Sequence, residues 1–432
     1  MAGFASGTWI LHGKEYRVDT LYHAYIGPGT TQTSIKLAGP VNLRVFYTTT
    51  DLKNENVDVR AIKHKDTLTG LGTVSNAAES HSTSNRSYFA GINADFFSSS
   101  MPCGITVVDG EVYCSDQASG WSLFGIDANK IPYSGGGDFY VKLTAPDYST
   151  AELSAMNLER GTNGLVLYSS RKGANTGTDS NGSEVVLIPD GEGNFLTPGA
   201  TVRMRVQGNP SHAGSMPIPD DGYILSGSGT KESFVSNLSE GDVVEVRCAI
   251  RFNGFTGGKI QQALGGCPML VSGGKVLDTE NALDHLTSAQ PRTAVGYNAE
   301  KNKLVMLVAD GRSSISVGPI SKVLADIMIY AGCSEAMNFD GGGSSTFYVK
   351  GEGVINQPSD GSERSVTDGL YLSTDAPQND VTITTIRFMD YAKTLNQGDA
   401  YTPVIYGYNQ YGVLVDRNVE GVLCRVVRVW VQ

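Results

Sequence analysis

Short runs rich in Val, Ile, Tyr and Phe, four to eight residues long, recur along this chain between clusters of Gly, Asn, Asp and Pro. Such runs are typical of β-strands bounded by turns. Because helical patterns are scarce beside them, we predict an α+β fold with a β-rich mixed-sheet core and few helices. The clearest predicted strands are 41–47, 88–93, 104–108, 111–113, 164–168, 184–188, 243–250, 293–297 and 304–309.

Only two segments have the apolar spacing of a helix. Ile320, Val323, Leu324 and Ile327 recur at intervals of three and four residues, so we predict a helix over 319–331, which begins at a Pro and ends before Gly332. A weaker pattern predicts a second helix over 73–82. Neither segment alters the expectation of a strand-rich fold.

The length of 432 residues predicts about two to three domains. Changes in composition divide the chain into an N-terminal β segment (1–40), a principal domain (41–375) and a C-terminal β module (376–432). Residues 137 to about 245 are rich in Gly, Ser, Thr and Asn, which indicates a β-rich region inserted into the principal domain. The C-terminal module resembles part of an immunoglobulin-like domain, although such domains usually need about 100 residues.

Composition excludes several classes of function. A net charge of -11 with no Lys/Arg-rich block argues against a nucleic acid or an anionic membrane surface as partner. No apolar stretch reaches the roughly 18 residues of a transmembrane helix. The six Cys show no CxxC spacing and the six His no HExxH motif, so we do not expect a zinc site. A turn at Asp109-Gly110 predicts a structural hairpin carrying Cys103 and Cys114.

The segment 338–346, NFDGGGSST, is the densest unusual part of a chain that contains 52 Gly. Three successive glycines between two predicted strands let backbone N–H groups approach an anion, with hydroxyls beside them. The motif lacks the Lys of a phosphate-binding P-loop and is not a GxSxG nucleophile elbow. The alternative interpretation is a flexible turn.

Chain order predicts which polar residues share this edge of the sheet. A hairpin of strands 293–297 and 303–309 places Arg292 opposite Ala309, beside Asp310. A right-handed β-α-β connection through the helix then makes the strand ending at Asp340 parallel to the strand ending at Asp310. We therefore expect Asp310 and Asp340 to converge near Arg292 and Arg312, unless these are solvated loop charges or a structural ion pair.

Another predicted strand, 88–93, ends in Asn93-Ala94-Asp95. Asn93 or Asp95 either caps the following loop or contacts a substrate, and the sequence gives both interpretations equal weight.

Taken together, the segments GINADFF, PRTAVG, DGR at 310–312, NFDGGGSST and PSDGSERSV resemble, in order and spacing, the signatures of the phosphodiester glycosidase family. The resemblance extends from about residue 41 to 373, and the sequence as a whole is most similar to bacterial members of the Bacteroides type. Phe339 stands where the family usually has Leu, and Ser365 where Pro is common.

The resemblance implies hydrolysis of a sugar-1-phosphodiester at the glycosidic C1–O bond, which releases a free sugar and a phosphomonoester. In the animal members the sugar is α-linked N-acetylglucosamine, so the implied partner is a phosphorylated glycan with an N-acetylglucosamine-like sugar. The resemblance also implies a secreted, periplasmic or cell-surface protein. The first residues show no signal peptide, so the protein is either cytosolic or has had its signal peptide removed, and the resemblance favours removal.

An oxocarbenium-like transition state needs a nearby carboxylate, and a phosphate leaving group needs charge stabilisation. We therefore predict Asp310 and Asp340 as the catalytic carboxylates, with Arg292 and Arg312 on the phosphate, and do not decide which Asp is base or nucleophile. The predicted substrate-binding residues are Asn93, Asp95, Asn338, Gly341, Gly342, Gly343, Ser344, Ser345 and Arg364. We expect no cofactor to be required, although a carboxylate-rich loop could hold a structural Ca²⁺ or Mg²⁺.

Three other functions are consistent with parts of the sequence. A non-catalytic carbohydrate-binding surface protein would suit the C-terminal module and the 20 Tyr, but it has no need of paired carboxylates. A serine hydrolase would use Ser344 or Ser345 as nucleophile, yet no histidine partner stands out in the sequence. A phosphodiesterase would release a sugar phosphate and an alcohol instead of a free sugar.

Overall fold

A computed structural model describes residues 7–116, 121–191, 195–252, 258–278, 287–389 and 400–422. All nine predicted strand segments fall on strands, and both predicted helices are present. Thr73 caps the first helix, since its Oγ1 accepts a 3.3 Å hydrogen bond from the Asn76 amide. The expectation of a strand-rich α+β fold is confirmed.

The elements form three groups along the chain. Before the inserted region come β1 Gly7–Leu11, β2 Lys14–Gly27, β3 Thr30–Ala38, β4 Asn42–Asp51, β5 Asp58–Lys63, α1 Val74–Ser80, β6 Ser87–Asn93, β7 Phe97–Ser98, β8 Met101–Pro102, β9 Thr106–Val108, β10 Glu111–Cys114, β11 Ser122–Asp127 and β12 Pro132–Gly135. The inserted region contains β13 Gly137–Thr144, β14 Thr150–Glu152, β15 Ala155–Met156, β16 Leu165–Tyr168, β17 Ser183–Pro189, β18 Thr201–Ser211, β19 Tyr223–Gly227, α2 Glu232–Ser236 and β20 Val243–Phe252. After it come β21 Ile260–Gly266, β22 Met269–Ser272, β23 Lys275–Val276, β24 Arg292–Tyr297, β25 Lys303–Ala309, α3 Ser321–Tyr330, β26 Glu335–Asn338, β27 Phe347–Val349, β28 Gly353–Val354, β29 Asp368–Thr374, β30 Thr385–Phe388, β31 Ile405–Tyr408 and β32 Leu414–Asp416.

The largest sheet has nine strands in the order β1-β2-β3-β4-β25-β24-β26-β22-β23. Strand β24 is antiparallel to both β25 and β26, so β25 and β26 are parallel to each other and end at the same edge. The predicted β-α-β connection is therefore present, with α3 between the two parallel strands. The apolar face of α3, including Leu324 and Ile327, packs on this sheet.

A five-stranded sheet, β28-β27-β6-β29-β5, packs against the nine-stranded sheet. Ile92, Phe347 and Leu370 from the smaller sheet share one apolar core with Val295 and Met306 from the larger sheet. Because this core joins strands from both halves of the chain, it fixes the end of β6 beside the end of β26. A second five-stranded sheet, β10-β9-β21-β11-β12, contains the hairpin predicted at Asp109-Gly110.

The inserted region forms a separate eight-stranded sheet, β14-β13-β20-β18-β17-β19-β16-β15. Its first and last strands are paired, with Gly137 opposite Phe252, so the chain enters and leaves this sheet at neighbouring positions. Its apolar core, in which Leu167, Leu187 and Val246 are fully buried, also includes Val107 and Leu123 of the second five-stranded sheet. This arrangement is typical of an inserted unit.

Strands from the first and last described parts of the chain lie against each other. The N-terminal strands β1, β2 and β3 belong to the nine-stranded sheet. Strands β30, β31 and β32 form a small sheet, and Tyr406 and Tyr408 pack with Ala24 of β2. The Tyr408 hydroxyl donates to the Tyr25 carbonyl at 2.9 Å. The immunoglobulin-like interpretation stays a prediction, since residues 390–399 and 423–432, with Cys424, lie outside the described residues.

In the described part of the chain, Cys103 and Cys114 are both free thiols. None of the described helices has the length and hydropathy needed to cross a membrane.

Candidate active site

A cavity of about 180 Å³ lies at the edge of the nine-stranded sheet where β24 begins and β26 ends. Larger cavities of about 510 and 520 Å³ lie elsewhere, but neither is lined by a predicted site residue. The residues that line the smaller cavity are Phe96, Gln290, Arg292, Arg312, Asp340, Gly341, Gly342, Gly343 and Arg364. Seven of them are among the predicted site residues, so the structure brings these together.

Arg292 occupies the position that the hairpin prediction gave it, opposite Ala309 at the start of β24. Its side chain is almost completely buried, at 2% exposure. The guanidinium Nη2 donates to the Ser288 carbonyl at 2.5 Å, and Nε is buried without a hydrogen-bond partner. Burial and the nearby Arg312 charge lower the Arg292 pKa to about 10, and Asp340 opposes that shift. Arg292 is thus a cation at neutral pH that faces the cavity with donor capacity unused.

Arg312 lies in the loop after β25 and has a backbone φ of 59°, in the left-handed region that most side chains avoid. Its Nε donates to Gln290 Oε1 at 2.7 Å. A residue held in this conformation indicates that the surrounding structure over-determines its position. We infer that the loop is shaped to direct the Arg312 guanidinium into the cavity.

Arg364 completes a group of three guanidinium groups around the cavity. Its Nε and Nη2 donate to Asp360 Oδ2 at 2.9 and 2.6 Å, and its Nη1 donates to Ser344 Oγ at 3.3 Å. Guanidinium groups in a partly dehydrated site match the geometry and charge of a phosphate. The cavity therefore has the chemistry of a phosphate site.

The three glycines make room for these arginines. A Cβ on Gly343 would collide with the side chains of Arg364 and Asp360, and one on Gly342, whose φ is 60°, would lie 3.0 Å from Arg312 Nη2. However, the Gly342 amide donates to the Pro291 carbonyl at 2.9 Å. Because this amide is already bonded, it is not free to bind an anion in the predicted nest. Gly342 and Gly343 instead let the side chains of Arg312, Arg364 and Asp360 come close to the backbone.

Asp340 is the carboxylate that lines the cavity. Burial is the main cause that raises the pKa of Asp340 to about 6, and the charge of Asp368 raises it further. Hydrogen bonds from the Ser344 hydroxyl and the Gly341 amide, together with the charge of Arg364, act in the opposite direction. Its backbone amide donates to the Ala94 carbonyl at 2.8 Å, which ties it to the end of β6. A carboxylate with this pKa can accept a proton near neutral pH.

Asp310, which was expected to meet Asp340, is not among the residues that line the cavity. The side chain is 2% exposed, and Oδ1 accepts a 2.8 Å hydrogen bond from the Gln357 amide and a 3.4 Å one from Asn356 Nδ2. Burial raises its pKa. Asp310 thus holds the start of the loop that carries Asp360 and Arg364.

Asn93, Asn338 and Ser345 hold the backbone of the site rather than line it. Asn93 Nδ2 donates to the Asp340 carbonyl at 2.7 Å, and Asn93 Oδ1 accepts from the Thr293 hydroxyl at 2.7 Å. Asn338 Nδ2 donates to the Cys267 carbonyl at 2.8 Å. Ser345 Oγ accepts from the Thr293 hydroxyl at 3.3 Å. All three predicted substrate-binding side chains are buried to 1% exposure or less.

Asp95 and Asp368 lie near Asp340 but do not line the cavity. Both are almost fully buried, at 1% and 0% exposure. The predictions included Asp95 but missed Asp368, the first residue of β29. The signal that could have found it is the antiparallel pairing of β29 with β6, which places the start of one strand beside the end of the other.

The described residues contain no group of three or more His, Cys, Asp or Glu side chains that could hold a metal ion. Among the residues that the structure describes, no histidine lines the cavity, and Ser344 accepts a hydrogen bond from Arg364. A serine hydrolase at this cavity would have to use Asp340, which accepts a hydrogen bond from the Ser344 hydroxyl, in place of a histidine.

Comparison with known proteins confirms the family resemblance. Residues 199–373 match the phosphodiester glycosidase family. Within curated proteins, 88 residues are 40% identical to the prophage-derived protein YomE of Bacillus subtilis, which is 20% of this chain and 13% of that protein.

Two solved structures share the fold. A Burkholderia pseudomallei protein described as exported aligns over 86% of this chain and 99% of its own, with a TM-score of 0.63 and 18% identity. A Synechocystis protein aligns over 80% of this chain and 62% of its own, with a TM-score of 0.61 and 15% identity. This chain thus spans less than two thirds of the Bacillus and Synechocystis proteins.

Proposed function

We propose that this chain, whose residues 199–373 match the phosphodiester glycosidase family, hydrolyses sugar-1-phosphodiesters at the glycosidic C1–O bond. The observation that carries the proposal is that one cavity combines three guanidinium groups with a carboxylate whose pKa is about 6. A phosphodiester carries one negative charge and its monoester product carries up to two, so cations here stabilise the charge that grows as the bond breaks.

In the proposed reaction, water attacks C1 of the sugar while Asp340 accepts a proton from that water. The bond between C1 and the phosphate oxygen breaks, and the electron pair leaves with the phosphate. Arg292, Arg312 and Arg364 hold the resulting phosphomonoester. Because the phosphate is already a good leaving group, this scheme requires no strong general acid and invokes no cofactor.

The substrate class follows from the same chemistry. We propose a phosphorylated glycan as partner, with an N-acetylglucosamine-like sugar as the first candidate because of the family resemblance. We also propose that the protein acts outside the cytoplasm, with support from the description of the Burkholderia protein as exported. Asp310 becomes a positioning residue in this proposal, because its carboxylate is committed to Gln357.

The test is incubation with methyl phosphodiesters of α-N-acetylglucosamine, glucose and mannose in ¹⁸O-labelled water. We expect a free sugar that carries ¹⁸O and an unlabelled methyl phosphate. Label in the phosphate would instead make the protein a phosphodiesterase. Binding without turnover of any member would favour the non-catalytic alternative.

The Asp340→Asn variant tests whether Asp340 is the base in this reaction. We expect turnover to fall by about 10²- to 10⁴-fold, as for loss of a general base. Full turnover by Asp340→Asn would remove this residue from the mechanism.

A further inference from the structure

Two buried acids behind Asp340 have no part in the proposed mechanism. Asp95 follows β6, and Asp368 begins β29. Backbone hydrogen bonds connect all three acids through Ala94, whose carbonyl accepts from the Asp340 amide at 2.8 Å and whose amide donates to the Asp368 carbonyl at 3.3 Å. The backbones of the three acids are therefore held together where two strands end and one begins.

The Asp95 carboxyl occupies a place that suits a neutral acid. Its Oδ2 accepts from the Gly104 amide at 2.7 Å, the Phe96 amide also donates toward the carboxyl, and Oδ1 is buried without a well-aligned hydrogen bond. A Cβ on Gly265 would lie 2.7 Å from both carboxyl oxygens, and one on Gly104 would lie 2.9 Å from Oδ2. An ionised carboxylate held by backbone amides in this buried position would be costly. Burial and the charge of Asp368 raise the Asp95 pKa well above its usual range.

Asp368, by contrast, has partners suited to a negative charge. Its Oδ1 accepts from the Asp95 amide at 2.9 Å, and its Oδ2 accepts from the Thr367 hydroxyl at 3.0 Å. Lys63 is also buried, at 2% exposure, and its Nζ donates to the Thr367 and Gly70 carbonyls at 3.1 Å each. Burial raises the Asp368 pKa, whereas the charge of Lys63 lowers it.

We propose that Asp95 is uncharged and Asp368 ionised in the working protein, and that the buried charge of Asp368 makes Asp340 accept a proton closer to neutral pH. Asp368 is thus a positioning residue that acts through Asp340. The second half rests on the proposed role of Asp340 as base. A negative charge behind Asp340 disfavours a second one, so Asp340 keeps its proton to a higher pH.

Among the residues that the structure describes, the other titratable groups around these acids leave Asp368 as the like charge that acts on Asp340. On the cavity side, Arg292 and Arg364 favour the Asp340 carboxylate. The charge of Asp340 also acts on the Cys103 thiol. Burial raises the pKa of this thiol to about 11 and that of the Cys114 thiol to about 12. Tyr371 faces Asp368 with a pKa raised well above its usual value by burial, and Glu363 acts on that tyrosine. These thiols and the phenol are neutral at working pH.

The experiment compares the pH dependence of kcat/KM for the unaltered chain and three variants. Asp368→Asn removes the charge, so we expect the midpoint of the acid limb to move down by about half a pH unit or more. Asp95→Asn replaces a neutral group with a neutral group and leaves this midpoint in place. Asp375→Asn is the control, because Asp375 follows the far end of β29 and pairs with Arg86 at 2.7 Å. Equal shifts in the first two variants, or no shift in Asp368→Asn, would overturn the proposal.

Two additions keep the proposal decidable. If Asp368→Asn leaves Lys63 without a counter-charge and does not fold, Lys63→Met with Asp368→Asn removes both charges and should give a smaller downward shift, because loss of the Lys63 charge acts in the opposite direction. Infrared spectra at pH 7.5 need no substrate: we expect a protonated-carboxyl band that disappears in Asp95→Asn, and its persistence would contradict the neutral Asp95. If no substrate is turned over, infrared titration of Asp340, assigned with Asp340→Asn, replaces the rate profile.

Discussion

The Asn93 carboxamide links the two packed sheets at Asp340, since its Nδ2 donates to the Asp340 carbonyl at 2.7 Å while its Oδ1 accepts from Thr293 and from the Thr346 amide. One buried side chain therefore satisfies three groups from three different segments. Asn93 is 0% exposed, so no water can replace it without rearrangement.

Asn93→Ala is expected to lower both stability and turnover. Unpaired buried polar groups cost about 1–3 kcal/mol each, so unfolding in urea should show a loss of at least that size. Because the Asp340 backbone loses its anchor, kcat should fall as well. Asn409→Ala is the matched control: Asn409 is 2% exposed and its Nδ2 donates to the Asp380 carbonyl at 2.9 Å, far along the chain from the cavity residues. A similar loss of kcat in both variants would show a general effect.

Asp310→Asn should retain most of its turnover, in contrast to Asp340→Asn. The amide oxygen of Asn can still accept from the Gln357 amide, and the carboxylate oxygen Oδ2 that is replaced has no partner in the structure. Asp310→Ala removes the acceptor and should loosen the loop after Asn356, which raises KM more than it changes the Tm. Steady-state kinetics of the two variants test this, and a loss of about 10²-fold or more in Asp310→Asn would restore Asp310 as a catalytic candidate.

Arg292→Met is expected to separate binding from stability. The guanidinium is buried with Nε unpartnered, and Met of similar length removes the cost of keeping that charge dehydrated. We expect the Tm to stay the same or rise, while inorganic phosphate, measured as a competitive inhibitor, binds about tenfold or more weakly. Arg86→Met, which removes a surface partner of Asp375, should leave phosphate inhibition unchanged. A large fall in Tm for Arg292→Met would show a structural role instead.

Gly343→Ala should displace the Arg364–Asp360 ion pair from the cavity. The added methyl group occupies the position of both side chains, so the pair must move. We expect kcat/KM to fall at least tenfold. Gly161→Ala is the control, since its Cβ would meet nothing within 4 Å. Unchanged kinetics in Gly343→Ala would show that the pair can shift without effect on the reaction.

Much of the site could be predicted because local rules determine it. The hairpin turn fixes Arg292 opposite Ala309, and the β-α-β connection makes the ends of β25 and β26 share an edge. These two rules suffice to place Arg292, Arg312 and Asp340 together. Their success depends on strand direction alone, which a sequence pattern can reveal.

The errors concern the direction in which single side chains point. Asp310 and Asp340 end parallel strands, but the Gln357 amide, which arrives much later in the chain, captures the Asp310 carboxylate. Asn93 likewise meets Thr293 and Asp340 only through packing of two sheets. Asp368 begins a strand, so a rule that places polar site residues after strands does not predict it. Contacts between distant segments decided each case.

The pairing of the strands also limits what a shorter piece of this protein could do. A fragment limited to the family match, residues 199–373, would lack β4, β5 and β6, because these three strands precede residue 199. In that fragment β25 would have no β4 beside it, and β29 would have neither β5 nor β6. A fragment cut at the family boundary would therefore expose unpaired strand edges, which are templates for aggregation. The part of the sequence that matches the family is thus not an autonomous folding unit, and recombinant work requires the strands upstream of the insertion.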